Sequence, residues 1–206
     1  MKKILSSFFL IFVVALTGFF FLRSEKKSLP KTQPYPFSTW TEFKDYKRLN
    51  MLLKGLAVDS LIDIPAYDLQ ELIYHHLNIK TYIGIRATKE EAQGLQAQFG
   101  SPLRSFAGAK IPQDPLPKAD MILCWDCLSA LSQQEVEAAL IQFRKSGAKY
   151  LLMRHFPNSE KNYGNPEESF HLINWKLSPY QFPEPMIQIE QINGTVLALW
   201  SLDSIR

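Results

Sequence analysis

An α/β domain is predicted by this sequence: a doubly wound, mostly parallel sheet that ends in an antiparallel β-hairpin and is preceded by an N-terminal transmembrane helix. Three observations carry that expectation. Short apolar runs alternate with helical patterns between residues 60 and 153, an Asn-Gly pair separates two alternating runs near the C-terminus, and an uncharged apolar run fills Ile4–Leu22. Alternation of strands with helices of about ten to fourteen residues is the signature of right-handed crossovers and a parallel sheet covered on both faces.

Met1-Lys2-Lys3 precedes the apolar run. As a helix Ile4–Leu22 would be roughly 28 Å long, close to the thickness of one hydrocarbon core. A cleaved signal peptide has a shorter apolar region followed by small residues, whereas Phe19, Phe20, Phe21 and Leu22 stand in that place. Residues 1–23 are therefore expected to be a retained single-pass membrane anchor, with cleavage as a signal peptide, for which Ala15 and Thr17 offer a weak site, as the alternative. Arg23, Lys26, Lys27 and Lys31 outnumber Lys2 and Lys3 across the run, which favours a cytoplasmic main domain. Residues 24–38, with Pro30, Pro34 and Pro36, read as a linker, and 39–206 as the folded domain.

Within that domain Phe43, Tyr46, Leu49, Leu52 and Leu53 recur at three- and four-residue steps, predicting an amphipathic helix over Thr39–Leu56. Strands follow at 60–63, 81–85, 103–107, 121–124 and 150–153, with helices at 68–77, 89–99 and 132–145. Ser132 with Glu135 spells a capping box, and Val136, Ala139, Leu140 and Phe143 share one face of the helix that follows. Asn193-Gly194 supplies the two positive φ angles of a type I′ turn, so 187–200 reads as a hairpin. Between sheet and hairpin runs a long proline-containing segment, His155 to Pro185; loops of that length are usually functional or draped over a site.

The remaining composition excludes more than it assigns. At 206 residues, 46% hydrophobic and 21% charged, the chain can bury one ordinary core. A net charge of +3, with no basic run interleaved with aromatics, gives no nucleic-acid footprint. Metal ligation is not expected, since Cys124-Trp125-Asp126-Cys127 has no second Cys or His pair and the adjacent His75 and His76 point about 100° apart on a helix. Redox chemistry at this C-x-x-C is not expected either, because Cys124 ends a predicted strand and the next helix starts only near Ser132. His155 and His171 are left as solvated loop residues that could face a site.

Several blocks resemble one subgroup of the class I S-adenosylmethionine (SAM) dependent methyltransferases. They are DIPAYD (63–68), YIGIR (82–86), DPLPKADMILCWDCLSALS (114–132), AKYLLMR (148–154) and PYQFPEP (179–185), in order and at compatible spacing. The resemblance implies a class I methyltransferase fold, SAM as cofactor, and a cofactor pocket where strands end, in keeping with the rule for open α/β sheets. It also implies which positions would form the pocket: Asp63, Pro65, Tyr67, Asp68, Arg86, Lys110, Trp125 and Asp126.

Several of these depart from the pattern. Tyr67 stands where a glycine would let backbone N–H groups approach the methionine part of SAM. Arg86 replaces the carboxylate that would accept from both ribose hydroxyls, and a guanidinium has no acceptor. Lys110 replaces an acid toward the adenine amino group, Trp125 an arginine, and Ala130 a histidine able to move protons near neutral pH. Asp63, Pro65, Asp68 and Asp126 are kept. The expectation is a membrane-anchored methyltransferase homologue with impaired or lost SAM binding, a pseudoenzyme acting as a binding or scaffold protein. The alternative is an active SAM-dependent methyltransferase with rearranged contacts, using a proline-rich lid at Pro179–Pro185. A third reading lets the reversed charges hold an anionic ligand such as a phosphate or lipid headgroup.

Overall fold

A computed structural model describes residues 46–65, 77–163, 170–190 and 195–205, all within the unit Tyr35–Arg206. Among them the elements follow the order α1 (Tyr46–Gly55), β1 (Ser60–Ile64), β2 (Thr81–Arg86), α2 (Lys89–Phe99), β3 (Arg104–Gly108), β4 (Met121–Cys124), α3 (Gln133–Lys145), β5 (Tyr150–His155), β6 (Ile187–Glu190) and β7 (Val196–Ser201). The expected anchor, the helix at 68–77 and the Asn193-Gly194 turn lie outside the described residues. Among the described residues no helix is long and apolar enough to cross a membrane.

The strands form one sheet in the order β3-β2-β1-β4-β5-β7-β6. Pairing is parallel from β3 to β5, and β7 then runs antiparallel to both β5 and β6. Strand order reverses between β1 and β4, which makes that junction the topological switch point. The register there pairs Ile64 with Cys124, and Trp125 N–H continues the ladder to the Ile64 carbonyl at 3.1 Å. Both chains therefore leave the sheet side by side.

Each face has its own core, as the buried strand patterns require. Leu49, Leu52 and Leu53 of α1 and Leu95 of α2 pack with Leu61, Tyr82, Leu123 and Leu152 on one face. Val136, Ala139, Leu140 and Phe143 of α3 pack with Ile62, Ile122, Leu151 and Met153 on the other. Tertiary packing rather than intrinsic propensity holds α1, as for most helices in globular proteins. Burial of its leucines, each contributing about 1.5–3 kcal/mol, is what holds it.

Local signals set the helix ends. The Ser132 side chain accepts from Glu135 N–H, and the Glu135 carboxylate accepts from Ser132 N–H at 2.9 Å, completing the capping box. Gly147 follows α3 at φ +78°, the left-handed position that favours glycine. Gly108, at the end of β3, lies so close to the start of α2 that a Cβ there would sit 2.7 Å from Lys89 N. This close approach brings α2 against the sheet edge.

At the amino ends of the strands, Asp120 ties β1 to β4. Its carboxylate accepts from Asp59 N, Ser60 N and Ser60 Oγ at 3.0, 2.9 and 2.7 Å. Burial acts to raise the Asp120 pKa, but these hydrogen bonds outweigh it and hold the carboxyl below its usual range. The second acid of the DPLPKAD block, Asp120, is thus structural, at the end of the sheet away from the cavity described below.

Candidate functional site

At the carboxyl ends of the strands, around the switch point, lies a cavity of about 370 Å³, at the small end of the roughly 300–1,000 Å³ of ligand pockets. Its wall is built by residues at or just beyond the ends of four strands: Ile64 and Pro65 at β1, Arg86 and Ala87 at β2, Lys110, Ile111 and Gln113 after β3, and Asp126, Cys127, Ala130 and Leu131 after β4. Apolar walls dominate, with Ile64, Ile85 and Ala109 continuing the core under α3. The parallel topology explains why positions far apart in sequence converge here: each strand delivers its first loop residues to the same edge.

Four of the sequence-predicted site residues therefore meet in one cavity: Pro65, Arg86, Lys110 and Asp126. Arg86 is buried to 8% exposure, with Nη2 3.1 Å from Glu91 Oε1 of α2. The place where the resemblance calls for an acceptor holds an ion pair instead. Lys110 is exposed on the rim, its backbone N–H held by Asp114 Oδ2 at 2.8 Å. Asp126 pairs with Arg154 Nη1 at 3.3 Å. Ala130, at the histidine position of the resemblance, also lines the cavity.

Trp125 and Asp63 lie elsewhere. Trp125 is 2% exposed, packs with the core on the α1 face, and has the Arg154 guanidinium 5.0 Å from its ring centroid. It braces Arg154 and stays off the cavity wall. Strand alternation turns Asp63 away from the cavity as well, since its neighbour Ile64 faces it. Asp63 is fully buried and accepts from Tyr82 Oη at 2.6 Å. Burial pushes its pKa up to about 7, against the opposing pull of the Tyr82 hydrogen bond and the Arg86 charge. Tyr67 and Asp68 lie outside the described residues.

Two further expectations are corrected, those for the lid and for His155, and the C-x-x-C gains a bond. The segment at Pro179–Pro185, expected as a lid, is pinned to the core through Phe182, which is 5% exposed and stacks on Trp175 at 5.4 Å, and Trp200 Nε1 donates to the Pro183 carbonyl at 2.9 Å, while Pro179, Gln181, Pro183 and Glu184 are exposed. Its aromatic residues are worth more buried than draped, and none of its residues lines the cavity. His155 ends β5 and is 1% exposed, with Nδ1 accepting from Trp175 N–H at 3.3 Å. Burial, helped by the nearby Lys176 charge, lowers its pKa to about 4, so it is neutral near pH 7. The C-x-x-C is closed as a Cys124–Cys127 disulfide. Cys127 belongs to the cavity wall and was not expected there; the C-x-x-C spacing was the available signal, set aside because no helix starts beside it.

Among the described residues no group of three or more His, Cys, Asp or Glu is placed to hold a metal ion. The cavity's fit to SAM is incomplete. Its apolar walls suit a flat ring, but Arg86 and Lys110 carry only donors at the two positions where the resemblance implies acceptors for the ribose diol and the adenine amino group.

No family model and no curated protein matches this chain. Solved structures match it in fold. The SAM-dependent methyltransferase SibL in its apo form aligns with 79% of this chain at a TM-score of 0.56 and 12% identity; the chain spans only 55% of SibL. The methyltransferase domain of bacterial CtHen1-C aligns with 76% of this chain, which covers 95% of it, at a TM-score of 0.54 and 16% identity. The 1,6-didemethyltoxoflavin-N1-methyltransferase of Burkholderia thailandensis, with its substrate and S-adenosylhomocysteine bound, aligns with 78% of this chain, covering 79% of that enzyme, at a TM-score of 0.54 and 10% identity. At identities this low, the superpositions establish a shared fold alone.

Proposed function

We propose that this chain, which has the fold of the class I SAM-dependent methyltransferases, is a membrane-anchored homologue that has lost ordinary SAM binding and uses its cavity as a binding site. One observation carries the reading. The end of β2, where an acceptor for the ribose hydroxyls is needed, holds the partly buried Arg86–Glu91 pair. Seating a diol there would mean turning a guanidinium out of a partly buried ion pair, and breaking such a pair is costly because it leaves a charge uncompensated. Lys110 adds a second donor at the next strand end, and Ala130 has no proton to offer or accept. The cavity is then a small, mostly apolar pocket with a cationic rim, suited to a ligand of opposite charge.

Calorimetric titration of the full chain in detergent with SAM and with S-adenosylhomocysteine tests this. No measurable binding is expected; affinity in the low micromolar range or tighter sinks the reading.

A second reading has one observation in its favour. Glu91 carries a carboxylate to within 3.1 Å of Arg86, so an acceptor stands one side chain away from the usual place, and an active methyltransferase with rearranged contacts could use it. Methyl transfer depends mainly on positioning two reactants. If Tyr67→Gly combined with Arg86→Asp creates SAM binding that the native chain lacks, this second reading fails.

The anchor is supported by the length of Ile4–Leu22 and its flanking cations, which also favour a cytoplasmic domain. Retention in membranes through alkaline carbonate extraction, and protease digestion of sealed vesicles of known orientation, test the anchor and its direction.

A further inference from the structure

The two sulfurs of the Cys124–Cys127 disulfide face different surroundings. Cys124 ends β4, is 1% exposed and lies within the apolar core under α3. Cys127 is partly exposed and forms part of the cavity wall. Arg86 and Lys110 line that same cavity. Asp126 also lines it, with its charge countered by Arg154 at 3.3 Å.

We propose that this disulfide is a redox site served by the cavity, exchanging with small anionic thiols that enter past Lys110. The assignment goes beyond the binding role proposed above and holds whether or not the cavity accepts SAM.

Thiol–disulfide exchange requires a thiolate to reach one sulfur while the other leaves. From the cavity only Cys127 can be reached, because Cys124 is covered by the core. The incoming thiolate bonds to Cys127 Sγ, the Sγ–Sγ bond breaks, and the electron pair leaves on Cys124, which takes up a proton. A second thiolate then attacks the incoming sulfur, releasing a symmetrical disulfide and leaving Cys127 reduced. Two thiols are oxidised by two electrons, and the protein disulfide becomes a dithiol that holds their two protons.

Lys110, exposed at the entry, favours the thiolate form of an incoming thiol and draws an anionic one. No helix N-terminus is needed for that. A purely structural disulfide is also poorly motivated here: stabilisation grows with the length of chain enclosed, and this bond encloses only Trp125 and Asp126. Cys124, once released, remains next to the mixed disulfide and can attack it again. The intermediate is thus short-lived in the native chain.

The test uses the full chain and glutathione. Reduced glutathione should open the disulfide of the folded protein with a rate that saturates with concentration. Replacing Lys110 by Gln should lower the ratio of the glutathione rate to the 2-mercaptoethanol rate roughly two- to fivefold, the size expected for one exposed charge. With oxidised glutathione, mass spectrometry should find a stable adduct on Cys127 in Cys124→Ser and little on Cys124 in Cys127→Ser, circular dichroism confirming that each variant is folded. The Lys110→Gln measurement leaves the disulfide in place, so it decides even if a cysteine variant fails to fold. Reduction that occurs only as fast as the chain unfolds, an unchanged rate ratio in Lys110→Gln, or equal modification of the two cysteines would overturn the proposal and leave the bond as a structural link.

Discussion

Replacing Asp63 by Asn should change how stability depends on pH. Asp63 is fully buried, with Tyr82 Oη 2.6 Å from Oδ2, and its Oδ1 has no hydrogen-bond partner among the described residues. The folded-state pKa is about 7, against 3.8 for the free group. Between those values the native chain holds a proton that the unfolded chain releases, so stability falls as pH rises. The contribution is complete below about pH 4 and has been lost once pH passes about 7. Three pH units at about 1.4 kcal/mol each amount to about 4 kcal/mol. The amide introduced by Asp63→Asn could still accept from Tyr82, but it does not titrate. The variant should therefore gain on the native chain by about 1.4 kcal/mol per pH unit over this window. Any offset from burying the amide N–H₂ does not depend on pH. Urea unfolding of both proteins at pH 4.5, 5.5 and 6.5 measures the slope directly, and contributions from other groups cancel in the difference. His155, whose folded pKa of about 4 lies below its free value of 6.5, adds stability as pH rises through the same window, so the native curve alone would mislead. Parallel curves for the two proteins would refute the account of Asp63.

Further outcomes follow from single contacts. Ser132→Ala removes the acceptor for Glu135 N–H and should cost about 1 kcal/mol, lowering the thermal midpoint by a few degrees. Gly108→Ala places a Cβ 2.7 Å from the backbone of Lys89, so α2 must shift; a loss of about 1–3 kcal/mol in urea unfolding is expected. Trp200→Ala empties a fully buried site and also frees the Pro183 carbonyl, for about 3–5 kcal/mol, with Trp200→Phe losing less.

The elements of the sheet were legible in the sequence because their signals are local. β4 and α2 fall on the expected residues, β1, β2, β3 and β5 differ by one or two, and the capping box of Ser132 marks the start of α3. Apolar runs, caps and turn residues act over a few positions, so periodicity finds them. The resemblance of the blocks at the strand ends points to Pro65, Arg86, Lys110 and Asp126, and the parallel topology brings these four to one cavity.

What only the tertiary structure decided is which way side chains point and what covers them. Strand alternation turned Asp63 to the Tyr82 side while its neighbour Ile64 faced the cavity, a one-residue distinction that no composition encodes. Glu91 reached Arg86 from the next helix, and the aromatic residues of the long segment sank into the core, each choice set by contacts between distant parts of the chain. Sequence alone determined the fold class and the edge of the sheet where chemistry would gather. Burial and packing determined its electrostatics, because an ion pair, a raised carboxyl pKa and a disulfide facing a cavity exist only once the parts are assembled.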